Sequence, residues 1–469
     1  MSLDRIPGSF RDPSGFLYWQ NGVLLRQVNS VYLEEFEHLT ESGLYDELVR
    51  QGLLIPHELV DNSLRFSEDA AKVIKPEVVE HISYPYEWSF SQLKDAALLT
   101  LKIQKLAFSK GMTLKDASAY NVQFHKGRPV FIDTLSFEKY EKGTPWVAYR
   151  QFCQHFLAPL ALMAHTDISL NQLYRTNIDG VPLPLATKLL PKKTKFNVGL
   201  YMHIWMHAKS QQSATEAQRA EGDAGQGTKR NFSETAFLGL LDSLQNAINK
   251  LDWKPGGSEW HDYYEANNNY GEAGLEYKEK LVSELTASVK PATVWDMGGN
   301  TGRFSRLAAA NGASVVTWDI DPGCVESNYR QVTQEQETAI LPLLVDLSNP
   351  GPALGWNNNE RMSISERGPA ELMLALGLIH HLAISNNVPF QDVAQFFARN
   401  CDHLLIEFVP RGDSQIDKLL SSRKDVFTDY EPEAFEAAFG RYFSILEKLP
   451  VPETKRTLYL MRSQLHSGV

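Results

Sequence analysis

Residues 293 to 308 read Thr-Val-Trp-Asp-Met-Gly-Gly-Asn-Thr-Gly-Arg-Phe-Ser-Arg-Leu-Ala: a short apolar strand, a tight glycine turn, and a helix opening directly behind it. Glycine is needed at Gly298, Gly299 and Gly302 because the backbone must turn sharply and let a ligand approach to contact distance. The helix N-terminus offers free N–H donors and positive potential to an anionic group. Seventeen residues past Gly302, a second strand (Ser314-Val-Val-Thr-Trp) ends in Asp319, an acid placed to accept two hydrogen bonds from a ribose diol. A dinucleotide site would read GxGxxG in this place, and the window Gly298–Gly302 fails that register. It fits Asp-x-Gly-x-Asn-x-Gly, with Asp296 two residues before the first glycine. An acid there is poorly placed beside a pyrophosphate and suits a cofactor that carries an ammonium group.

Strand–helix alternation continues from Ala292 to about Met461, which predicts a parallel, doubly wound α/β sheet. With 469 residues the chain has room for two or three domains. The stretch Ser210–Thr228 contains no aromatic and no large aliphatic residue and cannot order itself by burial. The expected organisation is an N-terminal α+β accessory or substrate domain over 1–209, a flexible linker over 210–230, a helical cap over 231–288, and a Rossmann-like domain over 289–469. In the N-terminal domain, Asn21-Gly22 between two β-rich runs predicts a hairpin. Val31–Gln51 reads as helix stopped by Gly52, Ser91–Lys110 as a longer helix capped by Gly111, and Val122–His125 with Pro129–Asp133 as a second hairpin.

Charge narrows the partners. The net charge is −11, but residues 1–210 hold 23 basic and 22 acidic groups, while the remainder holds 23 and 35. The acidic C-terminal half repels polyphosphate, which disfavours nucleic acid as a partner there. The longest apolar run, Phe156–Met163, is far too short to span a bilayer, and the N-terminus lacks a signal-peptide core. Cys153, Cys324 and Cys401 are isolated, so neither a disulfide framework nor a zinc knuckle is expected. The expectation is a cytoplasmic protein without membrane contact.

On these motifs the sequence resembles the class I S-adenosylmethionine-dependent methyltransferases. The resemblance runs from Asp296–Gly302 and Asp319 through Leu343-Leu-Val-Asp346 and the strand-four segment Glu371–Leu382, with its Gly377-Leu-Ile-His380-His381. It continues into strand five (His403–Pro410) and a C-terminal hairpin (Tyr442–Leu446 with Thr457–Met461), covering roughly 260–465. It implies S-adenosyl-L-methionine as cofactor. Asp296 and the turn Gly298, Gly299, Asn300 and Gly302 would hold the amino-acid end, Asp319 the ribose and Asp346 the adenine, and Phe304 is a further cofactor-binding residue. His380, His381 and Glu407 would line the acceptor side. The text around Trp260-His-Asp-Tyr-Tyr264, Asp296–Gly302 and Ile406–Pro410 is similar to bacterial nodulation-protein-type methyltransferases, which implies a bacterial source and no defined substrate.

Each assignment has a plainer alternative. Asn300 either bonds the cofactor carboxylate or only holds a left-handed turn. Asp321 either joins Asp319 at the ribose or caps the next helix, and Asp346 is otherwise a turn residue. Adjacent His380 and His381 share no face and have no further ligand at metal spacing, so no metal is expected; one is a base, or His380 simply packs. Trp260, Tyr263, Tyr264 and Tyr270 form either a cofactor lid or core packing. No Asn/Asp-Pro-Pro-Tyr stands in strand four, which counts against amino-methyltransferases that clamp a planar nitrogen.

Asp116-Ala-Ser-Ala-Tyr-Asn121, followed by Phe131-Ile-Asp133, resembles the catalytic loop and metal-binding Asp of kinase-like phosphotransferases. Leu114-Lys115 replaces His-Arg, Asp133-Thr-Leu replaces Asp-Phe-Gly, and no glycine-rich phosphate loop precedes them. That implies a kinase-like remnant without transfer activity, or else an unrelated helix–hairpin. The expected reaction is methyl transfer to an oxygen or nitrogen of a small molecule or carbohydrate. An RNA or protein acceptor recruited by the N-terminal domain, and a non-catalytic scaffold, are the alternatives.

Overall fold

The structure, a computed structural model, describes residues 3–210, 232–256, 272–421, 426–427 and 429–466. The chain divides into two compact units: Met1–Trp253 with Ala353–Arg361, and Lys254–Pro352 with Met362–Val469.

In the first unit, β1 (Leu3–Arg5), β2 (Gly15–Gln20), β3 (Val23–Asn29), β4 (His57–Val60) and β5 (Ala70–Pro76) form an antiparallel sheet ordered β1-β2-β3-β5-β4. Asn21 and Gly22 both take positive φ, as a two-residue hairpin demands. The helix expected over 31–51 is two helices, Leu33–Glu41 and Leu44–Arg50, because Gly43 adopts φ of 72° between them. The long helix is Phe90–Ser109, opened by reciprocal hydrogen bonds between Ser89 and Gln92. It is followed by β6 (Met112–Leu114), the hairpin β7 (Val122–His125) and β8 (Arg128–Phe131), and β9 (Phe137–Lys139), which pairs with β6.

The helix Glu234–Asn249, expected to lead into the Rossmann-like core, belongs to the first unit instead. Its Phe237 ring stacks on Phe108 at 4.3 Å, and Lys105 donates to Asp242 at 2.6 Å. An apolar stripe on a helix commits to whichever complementary surface it meets, and sequence periodicity does not name that surface. The division therefore falls near Trp253, not at 210–230, and the expected cap over 231–288 is split between the units. Nearly all of 210–230 lies outside the described residues.

The second unit is built on β10 (Thr293–Met297), β11 (Ser314–Asp319), β12 (Ile340–Leu344), β13 (Ala370–Ala375), β14 (Cys401–Phe408), β15 (Phe443–Pro450) and β16 (Thr457–Ser463). The sheet order is β12-β11-β10-β13-β14-β16-β15. The first five strands are parallel, and β16 inserts antiparallel between β14 and β15. This is a Rossmann-like, doubly wound topology with an antiparallel C-terminal hairpin, as the sequence predicts. The parallel strands read as near-continuous apolar runs because both faces are covered. Val294, Val315, Leu372, Leu374 and Leu405 pack with Leu275, Val282 and Leu285 of the helix Glu272–Val289 in one core. The chain winds outward from β10 to β12, then returns to start again at β13. That reversal opens a crevice beyond the carboxyl ends of β10 and β13, where ligands of such sheets bind.

Candidate active site

β10 runs into the glycine turn as the sequence predicts. Gly298 and Gly302 adopt φ of 73° and 83°, and the helix Arg303–Ala310 starts at Gly302. Gly298 and Gly299 N–H both donate to Trp318 O, at 2.8 and 3.0 Å, which ties the turn to β11. A Cβ on Gly299 would press into the Thr317 methyl and stand 2.8 Å from Asp296 Oδ2, so the requirement there is steric. Asn300 has φ of 52°, and its Oδ1 accepts from Thr301 N–H at 2.7 Å. The left-handed turn role is thus met by Asn300 itself.

Asp319 ends β11 with both oxygens engaged: Oδ2 accepts Asn300 N–H at 2.7 Å, and Oδ1 accepts Asp321 N–H at 2.8 Å. The carboxylate links the glycine turn to the start of the next helix. Burial pushes its pKa up to about 6, against the pull of those N–H groups. Asp321 caps the helix Pro322–Glu335, accepting from Gly323 N–H at 2.7 Å, so its capping alternative is what the structure shows.

Asp296 is buried, and its Oδ2 accepts the Ser305 hydroxyl at 2.7 Å, with Thr317 Oγ1 a further 2.7 Å beyond Ser305 Oγ. Burial, with Asp319 adding, raises its pKa to about 6. Phe304 is 3% exposed and lies in the core. Asp346 lies just past β12 and accepts Ser348 N–H at 2.8 Å, closing its own turn. Trp260 and Tyr264, expected as cofactor contacts, lie outside the described residues.

The acceptor-side residues differ from one another. His380 is 2% exposed, and burial, helped by His381 and Arg456, holds its pKa well below the usual histidine range. His381 is half-buried, with its ring 4.1 Å from that of His380. Glu407, at the end of β14, is fully buried, with Lys278 Nζ 2.8 Å and Arg456 Nη1 3.8 Å from its Oε2. Arg456 in turn pairs with Asp413 at 2.8 Å. A Cβ on Gly377 would stand 3.6 Å from Glu407 Oε2, so the glycine that follows β13 leaves space directly before this carboxylate.

Lys278 was not singled out in the sequence. Its Nζ also lies 4.8 Å from the centre of the Phe304 ring, and burial lowers its pKa while Glu407 opposes the shift. A signal existed: Lys278 interrupts the apolar stripe Leu275, Leu281, Val282, Leu285 on its helix, and a charge in such a stripe calls for a buried partner. In the first unit, Asp116, Asn121 and Asp133 also come together, within one hydrogen-bonded cluster.

No protein-family model matches the chain. It is 38% identical over 458 residues to the nodulation protein NoeA of Rhizobium meliloti (strain 1021), covering 97% of this chain and 95% of that one. Among solved structures it is similar to the N-methyltransferase NodS from Bradyrhizobium japonicum WM9 in complex with S-adenosyl-l-homocysteine, at 9% identity and a TM-score of 0.32 over 44% of this chain and 92% of that one. Magnesium protoporphyrin IX methyltransferase from Synechocystis PCC 6803 gives 15% identity and a TM-score of 0.30 over 43% and 97%. The bifunctional kinase-methyltransferase WbdD gives 13% and 0.30 over 43% of this chain and 42% of that one.

Proposed function

The chain belongs to the nodulation protein NoeA family, and from that premise we propose that its second unit transfers a methyl group from S-adenosyl-L-methionine to an oxygen or nitrogen of a small-molecule or carbohydrate acceptor. The observation that carries this reading is Asp319 at the carboxyl end of β11, its carboxylate bridging Asn300 N–H and Asp321 N–H beside a glycine turn whose Gly299 admits no side chain.

The residues present fit the cofactor. Asp319 suits a ribose diol and Asp296 an ammonium group, and the turn at Gly298–Gly302 permits close backbone approach. The bound cofactor supplies an already activated methyl group, so the protein's part is chiefly positioning. An oxygen acceptor also needs a proton acceptor. Glu407 is ill suited because two cations share it, and His380 because its depressed pKa makes it a weak base. That leaves His381, half-buried with its ring 4.1 Å from that of His380, as the proton acceptor, with His380 as its packing partner. No described helix is long and apolar enough to cross a membrane, which fits a protein acting in the bacterial cytoplasm.

Calorimetry with S-adenosyl-L-methionine tests the assignment. Wild type should bind, and Asp319→Ala should bind at least about tenfold more weakly. No binding by wild type, or equal binding by the variant, overturns the reading.

A further inference from the structure

The first unit carries a surface patch that is apolar and basic at once and has no part in methyl transfer. It begins where the helix Leu183–Leu189 ends, crosses the short turn Lys192–Phe196, and continues along the helix over 198–210. Phe196 is 90% exposed and Val198 72%, and Leu189, Tyr201, Met202 and Met206 are exposed as well. Val198, Tyr201, Met202 and Met206 recur at spacings of three and four residues, so they form one outward stripe. Leu200 and Ile204, on the other side of the same helix, are fully buried. A helix that is apolar on both sides, with one side turned to solvent, marks a surface built to meet something.

Lys188, Lys192, Lys193, Lys195 and Lys209 are exposed along this stretch. Residues 180–215 contain those five lysines and no Asp or Glu. The platform is held from beneath. Trp205 Nε1 donates to Thr194 Oγ1 at 3.2 Å, which locks the turn to the helix, and Lys195 Nζ lies 4.5 Å from the centre of the Trp205 ring. Gly199 lies against the helix Glu234–Asn249, where a Cβ would stand 2.7 Å from the Ala247 Cβ. His203 hydrogen-bonds the Tyr149 hydroxyl through Nδ1 and Ser243 Oγ through Nε2, each at 2.8 Å. The exposed stripe is thus fixed by packing on its inner side, so little ordering entropy is lost when it docks.

We propose that this patch docks the protein on the surface of an anionic lipid bilayer, with Phe196, Val198, Met202 and Met206 entering the headgroup–acyl boundary and the lysines meeting lipid phosphates. Interfacial helices combine these same two features, an apolar side for the acyl boundary and lysines for anionic headgroups. Lysine stems lie along apolar surface while their ammonium groups reach outward, so both features coexist at one depth. The net charge of −11 does not oppose docking, because a membrane surface acts only within about 10 Å through salt. Nor does peripheral contact need a spanning segment. Nucleic acid fits less well, since Val198, Met202 and Met206 have no ring to stack on a base. A protein partner also fits less well, since interfaces are depleted in lysine, and two copies meeting through this patch would oppose five lysines to five.

Flotation of the full chain with vesicles of phosphatidylglycerol and phosphatidylcholine in equal parts tests it. Binding is expected, falling as salt rises and at least about tenfold weaker to phosphatidylcholine alone. Phe196→Ser with Met202→Ser, and separately Lys192→Ala with Lys193→Ala, should each weaken binding at least about fivefold. All four side chains are exposed, so thermal unfolding should not change. Val31→Ser, at an exposed apolar site elsewhere in the unit, should leave binding at the wild-type level. The proposal is overturned by no flotation of wild type, by equal binding to phosphatidylcholine alone, or by unchanged binding in either double variant. An equal loss in Val31→Ser would mean general stickiness and overturns it too. Tighter retention on RNA than on vesicles, or a dimer in sedimentation velocity that the same variants abolish, would give the patch to those partners instead and overturn the membrane assignment.

Discussion

Lys278 Nζ stands 2.8 Å from Glu407 Oε2, with the two side chains 3% and 0% exposed, joining the helix before the sheet to the end of its fifth parallel strand. A buried pair of this kind adds little net stability, but losing one partner strands the other. Lys278→Met should cost about 3–5 kcal/mol by urea unfolding. Combining it with Glu407→Gln should recover part of that loss. If the single variant is as stable as wild type, the pair has no structural role.

Cofactor affinity should depend on pH through Asp319 and Asp296, which burial raises from the ordinary 3.8 to about 6. Folding then favours their protonated forms, so the stability they confer below pH 4 is lost as pH rises through 6. The ribose diol and the ammonium group both require the ionised forms, so binding gains what folding loses. Each carboxylate is about tenfold less ionised at pH 5 than at pH 7, so S-adenosyl-L-methionine should bind up to about a hundredfold more weakly at the lower pH. A flat profile between pH 5 and 8 would remove these carboxylates from the cofactor's site.

Gly299→Ala should destabilise the second unit by about 1–3 kcal/mol, since the new methyl meets Thr317 and Asp296. Thr317→Ser removes the Thr317 methyl and keeps the hydroxyl that contacts Ser305 at 2.7 Å. It should therefore restore part of the loss in the double variant. Absence of any rescue in thermal unfolding would show that the contact with Asp296, not the Thr317 methyl, is at fault.

Arg11→Ala should loosen the segment Ala353–Arg361 within the first unit. Arg11 grips Glu360 through two hydrogen bonds of 2.9 and 2.6 Å, and the Glu360 carboxylate is 1% exposed. Trp356 N–H also donates to Glu360 Oε1, at 2.6 Å. Faster limited proteolysis within 353–361 and a stability loss of about 1–2 kcal/mol are expected. Unchanged cleavage would mean that other contacts hold the segment.

The glycine turn was legible because local geometry dictates it: Gly298, Gly302 and Asn300 all take the left-handed backbone that their residue types tolerate, and Asp319 follows at the end of the next strand. The hairpins at Asn21-Gly22 and Lys126-Gly127 were legible for the same reason. Boundaries that depend on what an apolar face meets were not. The helix Glu234–Asn249 has a clear amphipathic pattern, but only Phe108 and the surface around it place it in the first unit. Residues 353–361 likewise carry no mark that assigns them to a unit whose nearest other member, Trp253, lies 100 residues earlier in the chain, a separation no local pattern reports.

By itself the sequence determined the strand–turn–helix unit, the doubly wound sheet and the acids at its edge, because turns and strand patterns are local and their side-chain requirements are written in consecutive residues. The tertiary structure decided which charges face one another. Lys278 and Glu407 are 129 residues apart and Arg26 and Asp133 are distant as well, yet each pair meets in the interior. Burial then sets their charge states, raising Asp296 and Asp319, lowering His380, and committing Glu407 to its two cations. Desolvation depends on everything packed around a group, and no window of sequence contains that.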